Sequence, residues 1–339
     1  MWKTIRFASM VCLLLLLGGS ITGVQASDVP PESTMVGQTH APLSPTKLLE
    51  EDPAPLILGA NYSFAYGGGF LYWERDCVGS VDTLPVYIKR RAENGGAIHV
   101  LYEDNSPTLE QCRSVSQYNV ADDDGFFYVN YAYERLDARL TDDPYTVVPL
   151  ADLDYHSLVL ATDDDYVYYN QSYGIYRAAK DGTGDDKINN ATGVTGLAVD
   201  DTYVYWLDDS GLWRASKTCT LPTCWGNKEQ LSTGGGKHLT LNSEKDELLW
   251  VNHSNGYWSI RQRRLYAPGA SSIYWVSDTL VWSLGQPVYH EGDEGECYFW
   301  PENTMYDVIP PPNNILRRMC AGEGSEETIA VQQVARDRL

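Results

Sequence analysis

The stretch LATDDDYVYYNQSYGIYRAAK at 160–180 is followed, 37 residues later, by LAVDDTYVYWLDDSGLWRASK at 197–217. The copies align without a gap. Leu160 matches Leu197, Asp164 matches Asp201, Tyr166 matches Tyr203, Tyr168 matches Tyr205, Gly174 matches Gly211, Arg177 matches Arg214 and Lys180 matches Lys217. Self-similarity at a fixed period of about 40 residues leaves few possibilities, because each copy must be one small unit that buries its apolar side against the next. Each unit reads as strand, turn, strand, turn, strand. Tyr203-Val204-Tyr205-Trp206 is a β-branched and aromatic run suited to a buried strand. Asp208-Asp209-Ser210-Gly211 is turn chemistry, and Leu212-Trp213-Arg214-Ala215 makes a third strand, with a fourth expected near Gln230-Leu231-Ser232.

Weaker copies flank this pair. ADDDGFFYVN at 121–130 aligns with ATDDDYVYYN at 161–170 at an offset of 40. Gly69-Phe70-Leu71-Tyr72-Trp73 reads as an earlier second strand, and Val86-Tyr87-Ile88-Lys89-Arg90 as its third. Downstream, Leu248-Leu249-Trp250 begins another copy, and Ser277-Asp278-Thr279-Leu280-Val281-Trp282 a last one, interrupted by a long insertion before Ile315-Leu316-Arg317-Arg318. These six copies centre near Phe70, Phe126, Tyr166, Tyr203, Leu248 and Leu280. Short antiparallel strands in fours, repeated six times, predict an all-β fold, a β-propeller whose radial arrangement protects sheet edges. A β-sandwich or an open solenoid is the alternative architecture; the period-2 and aromatic runs exclude a helical solenoid. Seven blades remain an alternative count, seeded by Cys297-Tyr298-Phe299-Trp300, which reads more simply as the third strand of blade six.

Residues 1–26 read as a secretory signal: Lys3 and Arg6 precede an apolar run from Val11 to Leu17, and Val24-Gln25-Ala26 offers small residues for cleavage. The run is too short to span a bilayer, no other segment is apolar enough, and Cys12 lies too early to accept a lipid. Residues 27–55 carry Pro30, Pro31, Pro42, Pro45, Pro53 and Pro55 among Ser, Thr and Glu, the composition of a disordered stem. The propeller is then expected over 56–334, with 335–339 as a tail. Loss of Lys3 and Arg6 takes the formal net charge from −21 to −23. That balance argues against nucleic acid and anionic membranes as partners, and is compatible with cationic partners.

Tyrosine dominates the aromatics, 24 against 10 Trp and 6 Phe, which suits packing between blades with a polar tip left to bond. Once the signal's Cys12 is gone, an even cysteine set remains, and an exported chain predicts disulfides. Local pairing within blades gives Cys77–Cys112, Cys219–Cys224 and Cys297–Cys320. Metal binding by Cys219 and Cys224 is the rival reading, but the spacing is wide and no second pair or close His follows.

Tyr205-Trp206-Leu207-Asp208 resembles the Tyr-Trp-Thr-Asp signature of the six-bladed propellers of the low-density-lipoprotein-receptor type, and Ile175-Tyr176-Arg177-Ala178 with Lys180-Asp181-Gly182-Thr183 resembles that family's next strand and turn. Related Tyr-Val-Tyr-Trp repeats occur in secreted bacterial propellers, to which this chain is most similar. The resemblance is good over 160–217 and weak over 63–135 and 238–318. Leu207 and Glu74 stand where the signature has Thr, and Tyr169 where it has Trp. The resemblance implies a protein-binding scaffold outside the cell or at its surface, and supplies no binding residue to carry over.

The acidic clusters Asp122-Asp123-Asp124, Asp163-Asp164-Asp165 and Asp200-Asp201 recur at one place in successive copies, so they are expected to close turns through backbone N–H groups. Calcium is the only cofactor they suggest, weakly, because the D-x-D-x-D-G spacing is absent. Arg177 and Arg214 are expected to pair with turn aspartates. His156 and His238 both precede first strands, and are candidates to face each other across the central channel as a metal or general-base site. No nucleophile elbow, zinc-protease motif or full phosphate loop occurs, so no catalytic or metal-ligating residue is assigned. Asn61, Asn170, Asn190 and Asn252 stand in N-x-[ST] sequons. The acidic group Glu291, Asp293, Glu294 and Glu296, in the apparent insertion at 285–314, is the candidate contact for a basic partner. The expectation is a secreted, monomeric, non-catalytic binding module for a protein or glycan, without membrane insertion. A carbohydrate-active or other hydrolytic enzyme working at the channel mouth is the alternative.

Overall fold

The computed structural model describes residues 62–75, 86–92, 96–104, 119–130, 133–154, 159–218, 228–242, 244–254, 257–266, 271–276, 281–284, 287–292, 295–304, 313–320 and 327–332. The chain divides into units Met1–Ala41 and Pro42–Leu339, and every described residue belongs to the second. That unit is an all-β propeller of six blades, each built from consecutive strands.

Blade one comprises β1 (Tyr62–Gly67), β2 (Phe70–Arg75), β3 (Val86–Ala92) and β4 (His99–Asp104). Blade two comprises β5 (Asn119–Ala121), β6 (Gly125–Asn130), β7 (Arg135–Leu140) and β8 (Val148–Asp152). In blade three, β9 (Leu160–Thr162), β10 (Tyr166–Gln171), β11 (Gly174–Ala179) and β12 (Asp185–Asn189) follow one another. Blade four has β13 (Gly196–Val199), β14 (Tyr203–Asp208), β15 (Gly211–Ser216) and β16 (Lys228–Thr233), the last at the place expected from Gln230-Leu231-Ser232. Blade five has β17 (Lys237–Leu241), β18 (Glu247–Ser254), β19 (Tyr257–Arg264) and β20 (Ser272–Val276). Blade six holds β21 (Val281–Leu284), β22 (Val288–Gly292), β23 (Gly295–Thr304), β24 (Asn313–Cys320) and β25 (Glu327–Gln332). All pairings are antiparallel, and first strands neighbour one another in sequence: β1 lies against β5, β5 against β9, β9 against β13, β13 against β17, and β17 against β22.

The pleat decides what each second strand does. Alternate side chains of β10 turn to opposite faces. Val167 and Tyr169 pack with Phe127 and Val129 of blade two, whereas Tyr168 packs with Val204 and Trp206 of blade four. The fourth position of each second strand is therefore aromatic and buried: Trp73, Tyr128, Tyr169, Trp206, Trp250 and Tyr298, the last five packing toward the preceding blade. A large ring at each of these five junctions is the unit of cohesion, and removing a ring so buried costs about 3–5 kcal/mol.

This pattern corrects two sequence alignments. Asp122 N bonds Gly125 O as Asp163 N bonds Tyr166 O, so blade two aligns with blade three at an offset of 41 rather than 40. A one-residue slip would have turned every side chain of β6 to the wrong blade. In blade six, Val281-Trp282 begins the first strand, not the second. Cys297–Trp300 belongs to the second strand rather than the third, and Ile315–Arg318 to the third. The supposed insertion at 285–314 is mostly sheet. β21 and β22 pair with successive halves of the long β23, so they form one first strand broken around Pro287, whose carbonyl accepts from Thr240 Oγ1.

Candidate functional site

Antiparallel order sends the first-to-second and third-to-fourth connections to one end of the blades. The second-to-third and blade-to-blade connections go to the other. The repeated aspartates lie at the first end, and their geometry shows why the sequence repeats them. Asp163 Oδ1 accepts from the N–H groups of Asp165 and Tyr166, and Asp200 Oδ1 from those of Thr202 and Tyr203. Asp122 Oδ1 does the same for Asp124 and Gly125. The second oxygen receives the phenol of the following strand, Tyr168 on Asp163 and Tyr205 on Asp200. Burial, and then the adjacent carboxylate, push both phenols well above the ordinary tyrosine range. In blade five Asn242 takes the aspartate's part, accepting from Asp246 and Glu247 N–H across a longer turn.

A lysine from the next blade completes two of these turns. Lys180 Nζ lies 2.7 Å from both Asp122 Oδ2 and Asp124 Oδ2, and Lys217 Nζ lies 2.6 Å from Asp163 Oδ2. Burial pushes the Asp163 carboxyl up, but the Lys217 ammonium, the Tyr168 hydroxyl and two backbone N–H groups outweigh it and hold the group below the usual carboxylate range. Lys180 likewise stays above the usual ammonium value, since its two aspartates outweigh its desolvation. Backbone bonds identify the structurally matching positions: Thr141 N to Asp124 O, Lys180 N to Asp165 O, Lys217 N to Thr202 O and Leu265 N to Asp246 O. Where blade one's turn is Gly68-Gly69, with both φ positive, blade two has Thr141 in place of a lysine. Where blade five has Leu265, the pair is made from elsewhere, by Lys245 on Asp201 at 2.6 Å.

The arginines do not pair with turn aspartates. Arg177 faces Asp186 and Arg214 faces Glu229, each across to the fourth strand of its own blade. Their guanidinium planes lie 4.5 Å from the Tyr166 and Tyr203 ring centres, and Arg90 repeats this over Phe70 at 4.1 Å. Arg177 also donates to Lys217 O, and Arg90 to Thr141 O, so both reach the next blade.

After these internal bonds, carboxylates remain. Asp123, Asp164 and Asp165 are exposed and, among the described residues, make no ion pair. Tyr66, Tyr145 and Tyr266 are 51%, 62% and 75% exposed around the same end, the Tyr145 hydroxyl lying 3.4 Å from His99 Nδ1. The connection between β22 and β23 is a first-to-second connection, which brings the acidic group picked from sequence to this end too. Glu291 and Glu296 are register partners there, while Asp293 and Glu294 lie outside the described residues. A long insertion standing apart from the repeat was expected; β22 and β23 instead place this connection at the first-to-second position of blade six.

His238 sits in β17 with a φ of 56°, between blades four and five, its N–H reaching Thr195 O. Burial, with Lys237 adding, pushes its imidazole down to about 4. His156 lies outside the described residues, as do Cys77, Cys112, Cys219 and Cys224. Among the described residues no group of three or more His, Cys, Asp or Glu is placed to hold a metal, and no helix is long and apolar enough to cross a membrane. Cys297 and Cys320 are register partners in β23 and β24. Two sequons are spoken for by the fold: Asn170 is buried and accepts from Val159 N–H, and Asn252 donates to Gly235 O.

No family model matches the chain, and no curated protein matches it. Solved structures do. An oligogalacturonate lyase in complex with manganese superposes with a TM-score of 0.52 at 12% identity, over 80% of this chain and 78% of that one. A chain of a nidogen/laminin complex gives 0.49 at 14% identity, over 80% and 93%. TolB from Acinetobacter baumannii gives 0.48 at 10% identity, over 77% and 76%. At these identities the likeness concerns the fold alone, and the fold is that of β-propellers.

Proposed function

We propose that the chain is an exported, monomeric and non-catalytic interaction module, akin to the Tyr-Trp-Thr-Asp propellers, that receives a cationic protein partner at its acidic end. One observation carries this reading. The turns bring carboxylates from successive blades to one end, and the lysines that meet them reach only part of the set, leaving Asp123, Asp164 and Asp165 exposed and without an ion pair among the described residues. Such a rim raises the encounter rate with an oppositely charged partner more than it adds affinity. Rigid blades hold these connections in place, which is where scaffolds of this kind carry recognition.

The test compares equal charge removal at the two ends. One variant combines Asp123→Asn, Asp164→Asn and Asp165→Asn; the other combines Glu134→Gln, Asp154→Asn and Asp209→Asn at the opposite end. Each is titrated with a synthetic peptide alternating lysine and serine, over a range of salt. The first variant is expected to lose about fivefold in affinity and in association rate at low salt, the second little. Equal losses would reduce the effect to net charge and end the assignment of this face.

A further inference from the structure

Among the described residues each of the six sheets is drawn from one continuous stretch of chain, and no strand from one end of the chain joins a sheet begun by the other. A propeller so ordered closes between blades one and six, with no ladder shared there among the described residues. Other junctions have identified bonds across them. Tyr72 stacks on Phe126 at 5.0 Å between blades one and two, and Lys180, Lys217 and Lys245 bridge the next three. Tyr298 Oη donates to Glu247 Oε2 between blades five and six.

Blade six carries a cysteine pair within its own second and third strands. Cys297 and Cys320 are direct cross-strand partners, and Tyr298 with Met319 is the next pair along the same ladder. α-Carbons so paired lie about 4.5–5.5 Å apart, inside the span a disulfide bridges. Tyr298 and Met319 pack against blade five, so the alternating pleat puts positions 297 and 320 on the sheet face turned away from blade five.

We infer that Cys297 and Cys320 form a disulfide that staples the second and third strands of blade six, and that reducing it loosens the ring at the junction of blades six and one. The bond forms by exchange with a small-molecule or protein disulfide: two thiols each lose a proton, the S–S bond forms, and the oxidant leaves as two thiols. A dithiol reductant reverses the step, taking up the disulfide and returning both protons. This inference rests on the export reading only for its compartment, since the exchange itself is tested on purified protein.

The experiment treats the full chain with oxidised glutathione, maps its non-reduced peptides, and then follows hydrogen exchange with and without dithiothreitol. A linked peptide joining Cys297 to Cys320 is expected. Reduction should speed exchange about 30-fold or more in β1–β4 and β21–β25 while β10 and β14 keep their protection. The double variant Cys297→Ser, Cys320→Ser should exchange like the reduced chain without any reductant. Unlinked cysteines after oxidation overturn the disulfide; a linked pair whose reduction leaves blades one and six protected overturns the role at the junction. If both results hold but the pair is reduced in protein taken from its own host, the export reading fails and the staple stands.

Discussion

The two ends of the propeller hold their blades together by different chemistry. At the first-to-second end, aspartates cap their own turns, accept a tyrosine, and are met by a lysine from the next blade. At the opposite end, neighbouring blades meet through neutral groups and close backbone approach. Thr195 Oγ1 donates to Gly236 O, Gln171 Nε2 donates to Asp152 O, and a Cβ on Gly196 of blade four would lie 2.8 Å from the backbone nitrogen of Leu239 in blade five. The ion pair there, Arg135 with Asp137, stays inside one blade. Asp208 at that end also caps its own turn, accepting from Ser210 and Gly211 N–H, but among the described residues no lysine of a neighbouring blade meets it, and Asp209 beside it is only an exposed charge. What separates the ends is the inter-blade lysine.

The largest effect that could break this contrast is at Asp163. Asp163→Ala strips two backbone caps, a phenol partner and the Lys217 ammonium at once. It is expected to cost about 3–5 kcal/mol in denaturant unfolding, whereas Asp209→Ala stays within about 0.5 kcal/mol. Comparable losses would mean that the frame does not depend on its acidic end.

Acid separates the ends further, because they titrate in different windows. The His238 imidazole is pushed from 6.5 down to about 4, so between those values the unfolded chain binds the proton that the folded chain refuses. Stability therefore falls as pH drops through that window, by at most about 3 kcal/mol. The Asp163 carboxyl lies below its ordinary 3.8, so its contribution is present above that value and is lost only as pH falls through the lower folded one. His238→Asn tolerates the positive φ and removes the imidazole. Its stability should be flat from pH 6.5 to 4 by chemical denaturation, with the steeper loss below pH 4 unchanged. A variant that keeps the upper slope would move its origin away from His238.

The sequence made one half of the clasp plain and hid the other. Repetition of Asp163 and Asp200 at equivalent positions pointed to a turn role, and each indeed closes its hairpin. The partner was equally repeated, as Lys180 and Lys217, yet the arginines two strands' width away drew the pairing instead. Nothing in a linear pattern says that an Arg beside an aromatic will stack on it and leave the turn to a Lys three residues later. Blade six was displaced by one strand for a different reason. Its first strand is split around Pro287 and its second runs to 10 residues, so the spacing that marks the other blades is stretched beyond the period. The aromatic at the fourth position survives that distortion, and Tyr298 would have set the blade had it been aligned with Trp206 and Trp250.

The smallest effect tests whether the clasp is one device or two. Lys217 and Asp163 are 15% and 13% exposed in their side chains, while Lys245 and Asp201 are 44% and 85% exposed. The Lys245 contact comes from the turn of blade five, not from the end of its third strand, where Leu265 packs into the apolar cluster of Trp250 and Leu248. Asp200 itself is buried and satisfied by Thr202 N–H, Tyr203 N–H and Tyr205 Oη, so it has no need of the ammonium. Water screens the outer pair and long-chain entropy opposes it, which limits Lys245→Ala to about 1 kcal/mol or less. Lys217→Ala leaves a half-enclosed carboxylate short of its cation and should cost about 2 kcal/mol. Raising the salt concentration to 1 M should narrow the Lys245 effect to nothing while most of the Lys217 effect persists, because enclosed pairs are screened far less. If both variants lose the same stability and show the same salt response, apolar packing of Leu265 has not replaced the lysine, and the blade-four junction depends on charge as the others do.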